Sequence, residues 1–172
     1  MEELEIKNRV AGSSLITLDL EDYYHQGPRI ELDMADWLWE GVMLREKDFR
    51  ERVAAHDWAQ YAGANVAIIC SADAIVPVWA FMLLVTRIAQ YAHHVVVGDI
   101  DELESDLFRS ALRSIDSSKY AGAKIVVKGC SKHPVPTAAY AELTRLLAPV
   151  VSSLMYGEAC SAVPLYKRPK SL

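Results

Sequence analysis

The chain has 172 residues, is 52% hydrophobic, carries three cysteines and has a formal net charge of −5. At this length a core that buries roughly 70% of the unfolded surface needs no disulfide staple, and an odd cysteine count without CxxC spacing argues against a disulfide scaffold. The apolar fraction excludes disorder and allows a buried oligomer surface, while a pI near 5.5 leaves no basic footprint for nucleic acid.

In chain order, the acidic start Met1-Glu2-Glu3-Leu4-Glu5 lacks the apolar region of a signal peptide. Leu15 to Leu20 alternates in polarity, as does Ile30 to Met34, with Gln26-Gly27-Pro28 between them. That pattern predicts an N-terminal β-hairpin with a loop longer than two residues. Met43 to His56 sets Leu44, Phe49 and Val53 among charges, which predicts an amphipathic helix with Asp48 as a possible cap. From Asn65 onward short β-branched runs alternate with helical stripes. Strands are expected at 66–69, 95–97, 125–127 and 151–156, and helices at 77–91, 101–115 and 136–149. The uncharged run Ala74–Val85 holds Pro77 and is shorter than the about 17–25 residues of a membrane span.

The fold class expected is α/β. A mostly parallel sheet is built from two repeated strand–helix–strand units, with an N-terminal β-hairpin and helix. Residues 1–172 are read as a single domain, with the hairpin and helix in 1–58 and the duplicated core in 59–172.

The duplication rests on Gln60-Tyr61-Ala62-Gly63-Ala64-Asn65, which aligns with Lys119-Tyr120-Ala121-Gly122-Ala123-Lys124 at an offset of 59 residues. Val76-Pro77 and Val135-Pro136 keep that offset, as do Gly98-Asp99 and Gly157-Glu158. Cys70-Ser71 and Cys130-Ser131 are one residue out of register. Self-similarity at a fixed period is the signature of repeated supersecondary units.

Each cysteine precedes a serine just beyond an expected strand, which places Cys70, Cys130 and Cys160 at the carboxyl edge of the sheet. Ligands of open α/β sheets bind at that edge, where strand order reverses. With a strand order of 2-1-3-4 the three sulfurs would converge, since neighbouring strands lie about 4.8 Å apart. Converging thiolates suit an iron–sulfur cluster or zinc. Asp73 in Cys70-Ser71-Ala72-Asp73 and His133 in Cys130-Ser131-Lys132-His133 are the candidate fourth ligands. The absence of a CxxC knuckle tilts the choice towards a cluster.

Other readings stand beside this one. Cysteine often behaves as a small buried hydrophobe, and Ser71 and Asp73 suit helix caps. A single activated cysteine, with His133 as base, would make a small thiol enzyme. The apolar helix near Val76–Val85 points to a homo-oligomeric interaction module. His93-His94 lies at the opposite sheet edge and reads as structural or exposed, and the four tryptophans read as core or interface. Lys167, Arg168 and Lys170 make a basic stretch too small for nucleic acid. There is no GxGxxG, GxxxxGK[ST] or HExxH motif. A cytoplasmic protein with no membrane partner is expected.

The stretches LITLDLEDYY, KDFRERVAAHDW, CSADAIVPVWAFMLL, KGCSKHPVP and CSAVPLYK resemble an uncharacterised bacterial family, domain-of-unknown-function family 2480. The resemblance covers nearly the whole chain, and the Cys-Ser motifs carry most of it. It implies no assigned activity.

Overall fold

The computed structural model describes residues 15–169; the acidic start Met1–Glu5 and Lys170 lie outside them. Both N-terminal strands form, as β1 (Leu15–Asp19) and β2 (Arg29–Asp33), followed by helix α1 (Glu46–Ala55). They do not form the expected hairpin. β1 pairs in parallel with β5 (Lys124–Lys128), and β2 pairs in parallel with β3 (Asn65–Ile69). A hairpin needs a tight antiparallel return. Here a 3-10 turn at Leu20–Tyr23 and then Gln26-Gly27-Pro28 carry the chain into another sheet.

The single sheet expected is instead two. One has the order β2-β3-β4, with β4 at His94–Val97. The other has the order β1-β5-β6-β7, with β6 at Ser153–Tyr156 and β7 at Val163–Lys167. All pairings are parallel except β6 with β7. Three more helices complete a mixed α/β fold: α2 (Val78–Ile88), α3 (Ile100–Leu112) and α4 (Thr137–Leu147). The chain divides into two units, one holding His25–Leu107 and the other holding the chain up to Tyr24 and again from Phe108. By their place in the sequence they are called the central and the terminal unit.

Each unit carries one copy of the repeat. β3, α2 and β4 in the central unit recur as β5, α4 and β6, every boundary 59 residues later. The tight turns before β3 and β5 recur as well. Asp57 accepts from Ala59 N–H as Asp116 accepts from Ser118 N–H. Gly63 and Gly122 then adopt φ of 69° and 70°, a left-handed turn that favours glycine. Backbone bonds repeat too: Gly63 N–H donates to Tyr91 O as Gly122 N–H donates to Val150 O, and Gly98 N–H to Ile68 O as Gly157 N–H to Val127 O. Each unit adds one N-terminal strand to the free side of its copy, which makes three parallel strands in both.

β3 is buried along Asn65–Ile68 because both its faces are covered. Val66 and Ile68 pack with Phe49 and Val53 of α1 and with Ala80, Leu84 and Ile88 of α2. Ala67, on the opposite face by strand alternation, packs with Leu103 and Leu107 of α3. In the terminal unit Ile125, Val127 and Leu154 pack with Ala139, Leu143 and Leu147 of α4, together with Phe108 and Leu112. Leu143 and Leu147 are fully buried; each such side chain contributes about 1.5–3 kcal/mol of transfer free energy. α2 and α4 begin just after Pro77 and Pro136, which hold extended backbone and make no side-chain cap. The expected caps Ser71 and Asp73 therefore do not cap α2. Asp48 lies in the first turn of α1, where Arg45 takes the cap position. Among the described residues no helix is long and apolar enough to cross a membrane.

Candidate functional site at the carboxyl edge of the terminal unit

β5 ends at Lys128, whose ammonium pairs with Asp19 at 3.2 Å across the end of β1. The chain continues as Gly129-Cys130-Ser131-Lys132-His133-Pro134 before α4. By the 59-residue offset Gly129 stands at the place of Cys70 and Cys130 at the place of Ser71, so the Cys-Ser pair sits one place later in a loop of unchanged length. Cys130 holds left-handed backbone, with φ of 71°. Non-glycine residues hold that conformation at a cost of order 1–3 kcal/mol and cluster at functional sites. The exposed Cys130 accepts the Val135 N–H on Sγ at 3.5 Å.

The following loop is latched by a carboxylate. Glu21, just past β1, accepts the N–H groups of Lys132 at 2.7 Å and His133 at 3.3 Å, and also that of Ser131. The Ser131 hydroxyl donates to its second oxygen at 3.1 Å. The Lys132 N–H above all, with those of His133 and Ser131, holds the Glu21 carboxyl at a pKa of about 2. The His133 ring stacks on Tyr24, centroids 4.2 Å apart.

The central unit repeats the latch with another residue. Asp33, the last residue of β2, accepts the Ser71 N–H at 3.0 Å and the Ser71 hydroxyl. It also accepts the Ala35 N–H at 2.9 Å, and its carboxyl lies below the usual range. Cys70 differs from Cys130 in sense: its thiol donates to Ala72 O at 3.8 Å and packs against the core of its unit.

Behind the Cys130 loop lies a cavity of about 350 Å³, lined by Val127, Thr137, Tyr140, Thr144, Tyr156 and Leu165. The Tyr140 hydroxyl is buried and has no hydrogen-bond partner among the described residues. It lies against Gly129: a Cβ there would be 3.1 Å from the hydroxyl and 3.2 Å from Leu20 Cβ. Burial, and then the nearby Tyr156, Cys130, Asp19 and Glu21, push the phenol up to about 12, so it stays neutral.

The other edge of the central unit holds a histidine pair. Asn65, fully buried, donates through Nδ2 to His25 Nδ1 at 3.0 Å, and Gly27 N–H donates to the same atom at 3.2 Å. His25 is therefore the neutral Nε2–H tautomer. Burial, and then His93 stacked at 3.8 Å, lower its pKa. His94, expected to be structural or exposed, bonds Asp106 at 2.8 Å. Trp37, Trp58 and Trp79 are partly buried against the core of the central unit, whereas Trp39 is exposed, with Arg45 3.5 Å over its ring.

The family model described as Protein of unknown function (DUF2480) matches residues 4–168. The chain belongs to that family. No curated protein and no solved structure matches it.

In this member of family 2480 the sequence-predicted site residues are dispersed. Cys70 follows β3, between β2 and β4, whereas Cys130 follows β5, between β1 and β6. Cys160 lies in the exposed turn from β6 to β7. The strand adjacency that was to bring three sulfurs together is therefore not found, because the duplicated strands lie in separate sheets. Among the described residues no group of three or more His, Cys, Asp or Glu is placed to hold a metal ion. Asp73 is exposed in the loop before α2, and the His133 ring is occupied by Tyr24. Sequence reasoning noted Asp19, Glu21 and Asp22 as an acidic set that reads as a solvated strand end, and missed Gly129, Tyr140 and the cavity. The slip between the Cys-Ser pairs was the available signal for Gly129.

Proposed function

We propose that this chain is a small thiol protein that uses Cys130 as a nucleophile on an uncharged substrate. The observation that carries this is the setting of Cys130: left-handed backbone, exposure, and an N–H aimed at its sulfur. That N–H donates to the sulfur, and the thiolate is the form that attacks. Cys70 has a carbonyl at its thiol instead, so its S–H is the donor. A reducing compartment such as the cytoplasm would keep all three thiols free.

Iodoacetamide provides the test. Attack joins Sγ to carbon, iodide leaves and the thiol proton goes to solvent. Mass spectrometry of the native protein should show the order Cys130, then Cys160, then Cys70. Modification of Cys130 no faster than of Cys160, which is also exposed, would overturn the reading. An iron–sulfur cluster or zinc is the alternative, since Cys130 and Cys160 leave neighbouring strands β5 and β6. Stoichiometric metal in anaerobically purified protein, lost with C130A, would replace the thiol reading.

A second reading is a homo-oligomer. Val78 and Met82, one turn apart on α2, are 73% and 63% exposed, and Ile75 before the helix is 94% exposed. A second copy would cover this apolar stripe.

A further inference from the structure

The cavity of the terminal unit differs from its counterpart by a consistent chemical change. At the 59-residue offset, Thr137, Tyr140, Thr144 and Tyr156 stand where the central unit has Val78, Phe81, Val85 and Val97. Each replacement introduces a hydroxyl. Three of the four, two Val to Thr and one Phe to Tyr, keep shape almost unchanged, whereas Tyr156 in place of Val97 adds a ring. Thr137, Tyr140 and Thr144 share one face of α4, since spacings of three and four residues superpose on a helix. All four line the same cavity.

Two accommodations accompany the hydroxyls. A Cβ at residue 129 would lie 3.1 Å from the Tyr140 hydroxyl, and residue 129 is Gly where the central unit has Cys70. The fourth wall, Leu165, comes from β7, which pairs antiparallel with β6 and has no equivalent beside β4 in its three-stranded sheet. The cavity thus belongs to the features in which one copy departs from the other. Its volume of about 350 Å³ is within the range of small-molecule sites, roughly 300–1,000 Å³.

We infer that this cavity is a binding site for a small, uncharged ring compound that carries hydroxyl or carbonyl groups. Two tyrosine rings at 81° to one another, with Val127 and Leu165, offer apolar walls to a ring. The threonine hydroxyls, each donor and acceptor, meet its polar groups. The Tyr140 ring lines the space, and its hydroxyl is buried on the side of Gly129. No charged side chain lines the cavity, and Asp19 and Glu21 set a negative field near Tyr140, which disfavours anions. The inference does not require Cys130 to react, although Gly129 joins the cavity to the Cys130 loop.

Titration of the full chain with phenol, toluene and benzoate, followed by backbone amide shifts, tests this. Phenol should give saturable shifts confined to β5, α4, β6 and β7. Toluene should bind about fivefold to tenfold more weakly, the value of one neutral hydrogen bond, and benzoate more weakly still. The double variant T137V/T144V, which installs the central unit's residue types, should erase the preference for phenol over toluene without unfolding the protein. L165W should block all three by filling the cavity. C130S should leave binding intact, which separates failure of the thiol reading from failure of this one. Absence of saturable phenol shifts, equal binding of toluene, or benzoate binding as tightly as phenol would each overturn the proposal.

Discussion

At the scale of residues, Gly129 and Tyr140 act as a pair. A Cβ at 129 would lie 3.1 Å from the Tyr140 hydroxyl and 3.2 Å from Leu20 Cβ, closer than ordinary contact on both sides. G129A should therefore destabilise the protein by about 1–3 kcal/mol, the usual cost of overpacking. Y140F alone should be neutral or slightly stabilising, because it removes a buried hydroxyl that has no partner. In the double variant G129A/Y140F part of the loss should return. The contact with Leu20 and the unusual backbone at 129 keep recovery incomplete. Urea unfolding midpoints of the four proteins would measure the coupling; strict additivity would show that the two residues are independent.

At the scale of elements, a carboxylate at or just past the end of the first strand of each unit latches a Cys-Ser loop. Glu21 does so in the terminal unit and Asp33 in the central one. The folded Glu21 carboxyl titrates near 2 against an ordinary 4.5, with the Lys132 N–H as the leading cause. A folded pKa below the unfolded one gives stability that is present above the unfolded value. It is lost as pH falls from 4.5 through about 2. E21Q should lower stability at neutral pH and make its decline below pH 4.5 shallower than in the native chain, as read by denaturant midpoints across pH. An unchanged acid profile would assign the latch no energetic role. The strands and helices were readable in sequence because β3 and β5 are apolar runs and α4 shows a stripe of Leu143 and Leu147. β7 was not. It is an exposed edge strand carrying Pro164, with neither alternation nor burial to mark it. Glu21 was visible only as an acid at a strand end. Its three amide donors come from residues 131–133, remote in sequence.

At the scale of the whole molecule, the duplication yields two units that have diverged on equivalent helices. α4 carries hydroxyls toward a cavity, whereas α2 leaves Val78 and Met82 exposed. If that stripe is covered by a second copy, sedimentation velocity at micromolar concentration should show a dimer. V78D/M82D should then return it to monomer without loss of fold, because both positions are exposed. A native chain that sediments only as monomer would exclude self-association through α2.

The sequence by itself determined the α/β class, the family, the order of the repeated elements and their 59-residue period. These follow from local patterns: β-branched runs, helical stripes, and turns built on Gly63 and Gly122. The tertiary structure alone decided that β1 joins β5 while β2 joins β3. It also decided that Cys70 belongs to a different sheet from Cys130, and that Thr137, Tyr140, Thr144 and Tyr156 line one space. The physical reason is that a parallel strand takes its partner from far along the chain. Its residues record how much of it is buried, but not which distant strand buries it.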